Sequence, residues 1–271
     1  MFNRFFLRFE TLWRLVHVFR TMRRGYKHAP LRFESRWTPA ALPMSVQTNP
    51  LQKYFSEHQE GRGIWKFNHY FESYDRHFAK FRGREVHVLE IGVYSGGSLE
   101  MWQNYFGPRS KIYGVDIEPS CKVYESESVR IFTGDQADRS FWKHFRQEVP
   151  SLDIVIDDGG HLPEQQIVSL EELLPHLRPT GVYLCEDVVG PFNEFSAYVC
   201  GLAQDLNLAQ YELSSGNNES GSVSRTSSLQ SAIAGIHLYP YLAVIERTPE
   251  PVKELTALKR GTQWQPFFET R

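Results

Sequence analysis

From Val86 onward, short apolar runs alternate with amphipathic segments along the chain. This pattern is typical of buried parallel strands that are covered by helices on both faces of the sheet. It therefore favours a doubly wound, mostly parallel α/β sheet. We predict strands at 86–92, 111–117, 129–134, 153–158 and 181–187, and helices near 98–106, 138–148, 163–177 and 191–205.

Two later segments complete this pattern. Residues 235–247 carry two short apolar runs around Pro240, which predicts an antiparallel pair of strands at one edge of the sheet. Residues 214–231 are rich in Ser, Gly and Asn and are too polar to pack in a core. They are interpreted either as a disordered surface loop or as a lid that closes over the substrate.

The N-terminal segment has a different pattern. Apolar side chains recur there at helical spacing, and residues 1–27 contain seven Arg or Lys against one acid, Glu10. We predict a cationic amphipathic helix, which packs on its own domain or a sister subunit, lies on a membrane surface, or binds a partner. Its arginines are too frequent for a bilayer span, and it lacks the unbroken apolar stretch of a signal peptide.

Four prolines between residues 28 and 50 interrupt any continuous helix, so this segment is predicted to be a linker. We predict three parts: a helix with its linker at 1–50, the main domain at 51–250 and a C-terminal tail at 251–271. Aromatic residues at helical spacing within 51–82 indicate a helix beside the first strand. That helix packs in the core alone, or the segment also contributes four residues to a lid over the cofactor: Trp65, Lys66, His69 and Tyr70.

Composition and charge narrow the functional classes. The 271 residues are 41% hydrophobic, enough for a sizeable core, and the formal net charge is −2. No nucleic-acid partner is expected from this charge. The three cysteines lack the spacing of a zinc site or a disulfide framework, so we expect reduced thiols and a cytoplasmic protein.

The residues that follow the first three strands indicate a cofactor site, because ligands of such sheets bind at the carboxyl ends of the strands. Gly92 and Gly96 permit a tight turn before a helix that starts near Ser98. Asp116 follows 24 residues after Gly92, where a carboxylate can accept both ribose hydroxyls of an adenosine. The loop lacks the GxGxxG spacing of a dinucleotide site, which favours S-adenosylmethionine. Asp135 or Gln136 can bind the adenine edge, and Asp138 can cap the next helix.

Four carboxylates follow the fourth and fifth strands: Asp157, Asp158, Glu186 and Asp187. Like charges this close raise one another's pKa, and no Lys or Arg lies beside them in the sequence. A divalent cation would neutralise them, and oxygen ligands favour Mg²⁺, Mn²⁺ or Ca²⁺ over zinc. Because successive strand residues point to opposite faces, we assign Asp158, Glu186 and Asp187 to the metal and Asp157 to the cofactor side.

His161 lies on the loop that follows Asp158, where Gly159 and Gly160 allow the backbone to bend. A lone histidine is commonly a capping or core residue, but the neighbouring carboxylates favour a catalytic role here. Its ordinary pKa of about 6.5 suits a general base at neutral pH. We predict that the metal activates a substrate hydroxyl, that His161 takes its proton, and that the oxygen attacks the sulfonium methyl group in line.

The stretch from about residue 61 to 247 resembles the metal-dependent class I methyltransferases, and within them the macrolide deoxysugar O-methyltransferases of the mycinamicin type. The segments that carry the resemblance are YDRHF, LEIGVYSGGSLEMW, GVDI, GDQAD, DIVIDDGGH, the paired ED, and GIHLYPYLAVIE. The loop here has GG where those enzymes tend to have GS, and residues 1–50 look unlike their extra N-terminal domain.

This resemblance implies a Rossmann-like, seven-stranded class I methyltransferase fold with an antiparallel edge strand, here preceded by the N-terminal helical arm. It also implies O-methylation of a sugar hydroxyl, with S-adenosylmethionine and Mg²⁺ as cofactors, three metal ligands at Asp158, Glu186 and Asp187, and the base at His161. The predicted cofactor contacts are Glu90, Gly92, Tyr94, Gly96, Ser98, Asp116, Ile117, Asp135, Gln136 and Asp157.

Two other functions stay open at this point. One is an iron-dependent hydroxylase of the cephalosporin-hydroxylase type, although such a site prefers two histidines and only His161 is near. The other is a non-catalytic, membrane-tethered protein that binds S-adenosylmethionine. The partner is expected to be a small hydroxyl-bearing molecule such as a glycoside, and the protein is expected to be a homo-oligomer.

Overall fold

A computed structural model describes residues 49–208, 222–258 and 260–261, together with positions 16, 18–20 and 25. The chain divides into two units, Met1–Gln47 and Thr48–Arg271. The predicted amphipathic helix at 1–27 and the linker at 28–50 lie mostly outside the described residues. None of the helices in the described ranges combines the length and the apolar character needed to cross a bilayer.

The second unit contains two sheets. Its strands are β1 (Val86–Ile91), β2 (Ser110–Asp116), β3 (Val129–Thr133), β4 (Leu152–Asp157), β5 (Leu177–Cys185), β6 (Ser222–Arg225), β7 (Ile233–Tyr239), β8 (Leu242–Arg247) and β9 (Glu254–Ala257). Seven of them form one sheet in the order β3-β2-β1-β4-β5-β8-β7, and β6 pairs with β9 in a small second sheet. The predicted seven-stranded fold is therefore confirmed.

Strand direction agrees with the sequence pattern. β1 pairs in parallel with both β2 and β4, with Val88 opposite Ile112 on one side and Ile154 on the other. β8 runs antiparallel to β5 and to β7, as predicted for residues 235–247. Strand order reverses between β1 and β4, and the carboxyl ends of these two strands form the switch point at which such sheets bind ligands.

The helices cover both faces of the large sheet. They are α1 (Pro50–Glu57), α2 (Tyr70–Phe78), α3 (Gly97–Phe106), α4 (Arg139–Glu148), α5 (Pro163–Leu173), α6 (Glu194–Leu206) and α7 (Ser228–Ala232). The Asp138 side chain accepts a hydrogen bond from the Ser140 amide and caps α4, as predicted. α5 ends at Leu173, four residues earlier than expected, because a short 3₁₀ turn that contains Pro175 follows it.

Two hydrophobic clusters, one on each face of the sheet, form the core. Val88 and its neighbours pack with Tyr74 and Trp102 on the face covered by α1, α2 and α3. Leu89 belongs to the other cluster, with Trp142 and the residues of α4, α5 and α6. Alternate residues of one strand are thus buried on opposite faces, which is why every residue of β1 and β4 is buried and most of them are apolar.

Part of the polar segment at 214–231 is ordered, which corrects the loop prediction. Residues 222–225 form β6, and 228–232 form α7. The Ser227 hydroxyl accepts a bond from the Gln230 amide and the Gln230 side chain accepts one from the Ser227 amide, so a capping box starts this helix. The predicted tail also contributes β9. Residues 214–221 lie outside the described part of the chain.

Candidate active site

A cavity of about 680 Å³ opens at the switch point between β1 and β4. Its walls are the loops that follow β1 to β5 and the segment 63–67, which precedes α2. Most residues predicted to bind cofactor or metal meet here. Those that line the cavity are Gly92, Tyr94, Ser98, Asp116, Ile117, Asp135, Gln136, Asp158, His161, Glu186 and Asp187.

The glycine loop after β1 depends on two conformations that side chains disfavour. Gly92 has φ +87°, and a Cβ atom there would overlap the carbonyl oxygen of Asp158 on the neighbouring loop. Gly96 has φ +74° and precedes α3, and a Cβ atom there would lie 2.7 Å from the Tyr124 ring. These glycines let the loops after β1 and β4 approach closely and turn the chain into α3.

Asp116 holds the glycine loop in place. Its Oδ2 atom accepts hydrogen bonds from the amides of Val93 at 2.8 Å and Tyr94 at 3.0 Å. Its Oδ1 atom accepts one from the Glu118 amide at 2.9 Å. A carboxylate offers about four lone-pair sites. Oδ2 already accepts two hydrogen bonds, and Oδ1 can accept one more. The carboxylate can therefore bind one ribose hydroxyl through Oδ1, whereas the sequence had suggested both.

Asp135 and Gln136, the two candidates for the adenine edge, have different surroundings. The Gln136 Nε2 atom donates to Asp157 and to Ser169, both at 3.1 Å, and its Oε1 atom accepts from the Gly160 amide at 2.7 Å. These bonds tie the end of β3 to the loop after β4. Asp135 accepts from the Ala137 amide and lines the cavity, which leaves it as the stronger candidate.

Asp157 and Glu90 were expected to contact cofactor, but neither lines the cavity. The Asp157 carboxylate is buried and accepts a bond from the Tyr183 hydroxyl at 2.8 Å. Burial raises its pKa to about 6, although the hydrogen bonds from Tyr183 and Gln136 oppose that shift. This corrects the expectation that Asp157 faces the cofactor, because the alternation along β4 turns it away from the side of Asp158.

Glu90 lies at the centre of a buried polar cluster. Its carboxylate accepts bonds from the Ser98 hydroxyl at 2.7 Å and the Trp102 indole at 3.1 Å, and it lies 3.5 Å from the Lys66 ammonium. Burial raises the pKa of Glu90, and the ammonium and the hydrogen bonds oppose that effect. Glu90 therefore holds Ser98 and Lys66, which line the cavity, and does not line the cavity itself.

Lys66 supplies a counter-charge that the sequence argument missed. Its Nζ atom donates to the carboxylates of Asp158 and Glu186, the latter at 3.0 Å, and the side chain is only 2% exposed. Burial alone would lower the pKa of Lys66, but the three surrounding carboxylates outweigh it and the pKa is raised. A divalent cation is thus not the only positive charge available to these acids.

Two tyrosines of α2 position the remaining carboxylates. The Tyr74 hydroxyl donates to Glu186 at 2.7 Å, and the Tyr70 hydroxyl donates to Asp187 at 2.8 Å. Glu186 is buried, which raises its pKa. The four-residue spacing of the two tyrosines places them on one helix face, which was the available sequence signal for their role.

The donor atoms of Asp158, His161 and Asp187 lie within 4.8 Å of one another, close enough to hold one metal ion. His161 Nε2 is 3.7 Å from Asp187 Oδ2, and both residues have positive φ, +57° and +54°. Such backbone strain persists where surrounding contacts impose it. The two carboxylates fit a hard divalent cation, and the imidazole lies beside them. Glu186 is outside this group, and its bonds to Lys66 and Tyr74 both use Oε1.

Three of the four residues predicted to form a cofactor lid lie at the cavity. Trp65, Lys66 and Tyr70 line the cavity, and Trp65 is 87% exposed. His69 does not line it, and its Nε2 atom instead lies 2.9 Å from the Pro240 carbonyl oxygen.

The large sheet has the strand order of the Rossmann-like methyltransferase fold, and the cavity lies at its switch point. Residues 89–188 match a family model described as a methyltransferase domain. A crystallised methyltransferase of the mycinamycin pathway, MycE, in complex with Mg, SAH and mycinamycin VI, shares 29% identity with a TM-score of 0.57. The alignment covers 74% of this chain and 53% of that one.

Curated relatives agree with the structural match. Mycinamicin VI 2''-O-methyltransferase of Micromonospora griseorubida is 37% identical, over 67% of this chain and 49% of its own. The 8-demethyl-8-alpha-L-rhamnosyl tetracenomycin-C 2'-O-methyltransferase of Streptomyces olivaceus is 31% identical, over 70% of this chain and 53% of its own. The chain spans about half the length of the curated relatives it matches. Its resemblance to the O-methyltransferases of the mycinamicin type is confirmed.

Proposed function

We propose that this protein is an S-adenosylmethionine-dependent O-methyltransferase that needs Mg²⁺ and methylates a hydroxyl of a sugar or glycosylated natural product. The observation that carries the proposal is a single cavity, lined both by the glycine loop with Asp116 and by the group Asp158, His161 and Asp187. The named activities of the relatives support the same chemistry.

The cofactor half of the cavity would hold S-adenosylmethionine through backbone and carboxylate contacts. The loop at Gly92 allows close approach of the methionine end, and Asp116 Oδ1 has room to accept one ribose hydroxyl. Tyr94 and Ile117 are 75% and 63% exposed and line the cavity, so they offer apolar surfaces to the adenine ring. Asp135 is the proposed acceptor for the adenine amino group.

The acidic half would hold Mg²⁺ through Asp158 and Asp187, with Tyr70 fixing the orientation of Asp187. When bound, the cation supplies the positive charge that lowers the pKa of a substrate hydroxyl. Glu186 remains a predicted ligand, and because Lys66 and Tyr74 both use Oε1, Oε2 is the oxygen it would present.

His161 is the proposed general base. Its side chain is 39% exposed, so it can meet a substrate hydroxyl at the mouth of the cavity, and Asp187 lies 3.7 Å from its Nε2 atom. The carboxylate stabilises the imidazolium that forms when His161 takes the proton. The hydroxyl oxygen then forms a bond to the methyl carbon as the carbon–sulfur bond breaks, and the thioether leaves uncharged.

The test is methyl transfer by the purified full chain from labelled S-adenosylmethionine to a panel of glycosylated macrolides and simpler glycosides. We expect a product heavier by one methyl group, lost with EDTA and restored by Mg²⁺. The His161→Ala variant should be nearly inactive, whereas the exposed control His144→Ala should match the wild-type protein. Iron-dependent oxygen consumption without methyl transfer would contradict the proposal.

Assembly and location stay predictions. We expect a cytoplasmic homo-oligomer, and membrane-surface contact through residues 1–27 is one of the three interpretations of that segment.

A further inference from the structure

A second group of metal-binding side chains lies outside the cavity. It consists of His77 on α2, His237 on β7 and Glu246 on β8, and none of the three lines the cavity. One donor atom from each lies within 4.8 Å of the others. Gly235 is opposite Glu246 in the β7–β8 ladder, which places His237 as the diagonal neighbour of Glu246 on the same face of the sheet.

The donor atoms converge. His77 Nδ1 lies 3.5 Å from Glu246 Oε1, and His237 Nε2 lies 3.2 Å from Glu246 Oε2. The two imidazole rings are 4.7 Å apart between centroids. His77 is buried, so its ring is held in place, and His237 lies towards solvent, which leaves a path by which an ion can enter.

A supporting hydrogen bond fixes the orientation of the buried histidine. The Tyr239 hydroxyl lies 2.9 Å from His77 Nε2, so Nδ1 is the nitrogen that faces Glu246. Histidines that bind metals commonly have such a partner on the second nitrogen. Lys80 also contacts Glu246 Oε1 at 2.9 Å, but its side chain is 41% exposed and can move into solvent.

We propose that His77, His237 and Glu246 form a second metal site, which binds Zn²⁺ or a similar borderline divalent cation. Two imidazoles and one carboxylate are a common zinc ligand set, with water in the fourth position. This set differs from the oxygen-rich group in the cavity, which suits Mg²⁺.

The site joins α2 to the antiparallel edge of the sheet. His77 follows Tyr74 by three residues and Tyr70 by seven, so all three lie on one face of α2. Those tyrosines donate to Glu186 and Asp187. An ion at this site would therefore stabilise the helix that positions two carboxylates of the cavity. The site itself would exist whether or not the protein is a methyltransferase.

The experiment titrates EDTA-treated full-length protein with Zn²⁺, and with Co²⁺ as a spectroscopic probe. It uses Asp187→Asn as the parent, because that substitution removes one of the two carboxylates proposed to hold an ion in the cavity. We expect one tightly bound equivalent and the visible absorption of Co²⁺ with nitrogen ligands. His237→Ala should weaken binding at least about tenfold, by analogy with the cost of losing even an outer partner of a metal ligand. His144→Ala should leave it unchanged.

Two further variants keep the test informative if His237→Ala fails to fold. Glu246→Gln keeps the shape of the side chain but removes its charge, and it should also weaken Zn²⁺ binding. His237→Cys provides a thiolate and should restore it. Circular dichroism shows whether each variant folds. Zn²⁺ affinity that neither His237→Ala nor Glu246→Gln changes would overturn the proposal, as would a parent that binds no Zn²⁺; the cluster would then be only a hydrogen-bond network.

Discussion

Lys66 Nζ lies 3.0 Å from Glu186 Oε1, although 120 residues separate them in the chain. The pair is buried, and the same ammonium also contacts Asp158 and Glu90. Lys66 thus gathers the ends of β1, β4 and β5 around one positive charge. The acids of this site are neutralised in part by the Lys66 ammonium, and the divalent cation that we propose would add to that charge.

Removing this charge is expected to destabilise the fold. Lys66→Met leaves Glu90 and Glu186 buried without their ammonium, and breaking such a buried pair costs about 3–5 kcal/mol. Urea denaturation followed by circular dichroism measures the change in the free energy of unfolding. The control is Lys122→Met, which removes an exposed pair with Glu125 and should cost less than about 1 kcal/mol. Equal losses in the two variants would show that Lys66 has no special role.

The close approach of the loops after β1 and β4 gives a second prediction. Gly92→Ala forces a Cβ atom into the Asp158 carbonyl oxygen, so we expect loss of S-adenosylmethionine binding in calorimetry. Gly83→Ala is the matched control, since Gly83 has φ +70° and nothing lies within 4 Å of its added Cβ atom. It should cost only the backbone strain, about 1–2 kcal/mol, and keep cofactor affinity. Similar cofactor affinity in both variants would refute the proposed role of the loop.

The metal-binding role proposed for Asp158 and the general-base role proposed for His161 can be separated by substitution. Asp158→Ala should abolish metal binding and turnover while cofactor affinity stays within about tenfold. His161→Ala should lower kcat by about 10² to 10⁴ because the proton acceptor is lost, with metal affinity nearly kept. Calorimetry with Mg²⁺ and steady-state kinetics measure both. Loss of metal binding in His161→Ala would instead make His161 a ligand.

Burial of His176 predicts a pH dependence of stability. Burial lowers the pKa of this imidazole from its ordinary 6.5, and the positive charge of Arg146 adds to the effect, although the bond to the Val149 carbonyl opposes it. Below pH 6.5 the unfolded chain therefore binds a proton more readily than the folded protein. Stability contributed by neutral His176 is present above pH 6.5 and is lost as the pH falls from 6.5 towards the lowered pKa.

Urea denaturation between pH 5 and 8 tests this prediction with His176→Gln. The variant should lose part of the decline in unfolding free energy at acidic pH. At pH 8 both versions have an uncharged side chain, so the difference there gives the cost of the substitution itself. Parallel pH profiles for the two proteins would contradict the prediction.

The sequence predicted the sheet well because its strands are buried on both faces. β1 and β4 are mostly apolar, and the turn at Gly92 follows from its place between a strand and a helix. The boundary near residue 175 was less predictable, since a 3₁₀ turn and the early start of β5 depend on tertiary packing. Local sequence patterns thus predict which elements form more reliably than they predict the residues at which those elements end.

The site was predictable only in part. The carboxylates were found because they end adjacent strands, but sequence spacing contains no signal that pairs Lys66 with acids 92 and 120 residues away. Strand alternation separated Asp157 from Asp158 without showing which one faces the ligand. The positive φ of His161 and Asp187, which brings their side chains together, depends on the loops around them.

The distance between metal and cofactor can be measured from the carbon-13 signal of S-adenosylmethionine that is labelled at its methyl group and bound to the full chain with Mn²⁺. Because Asp158 and Asp187 line the same cavity as the glycine loop, Mn²⁺ held by them should broaden that signal strongly. We expect broadening in the wild-type protein and a sharp signal in Asp187→Asn. A bound methyl group whose signal stays sharp in the wild-type protein with Mn²⁺ would contradict this expectation.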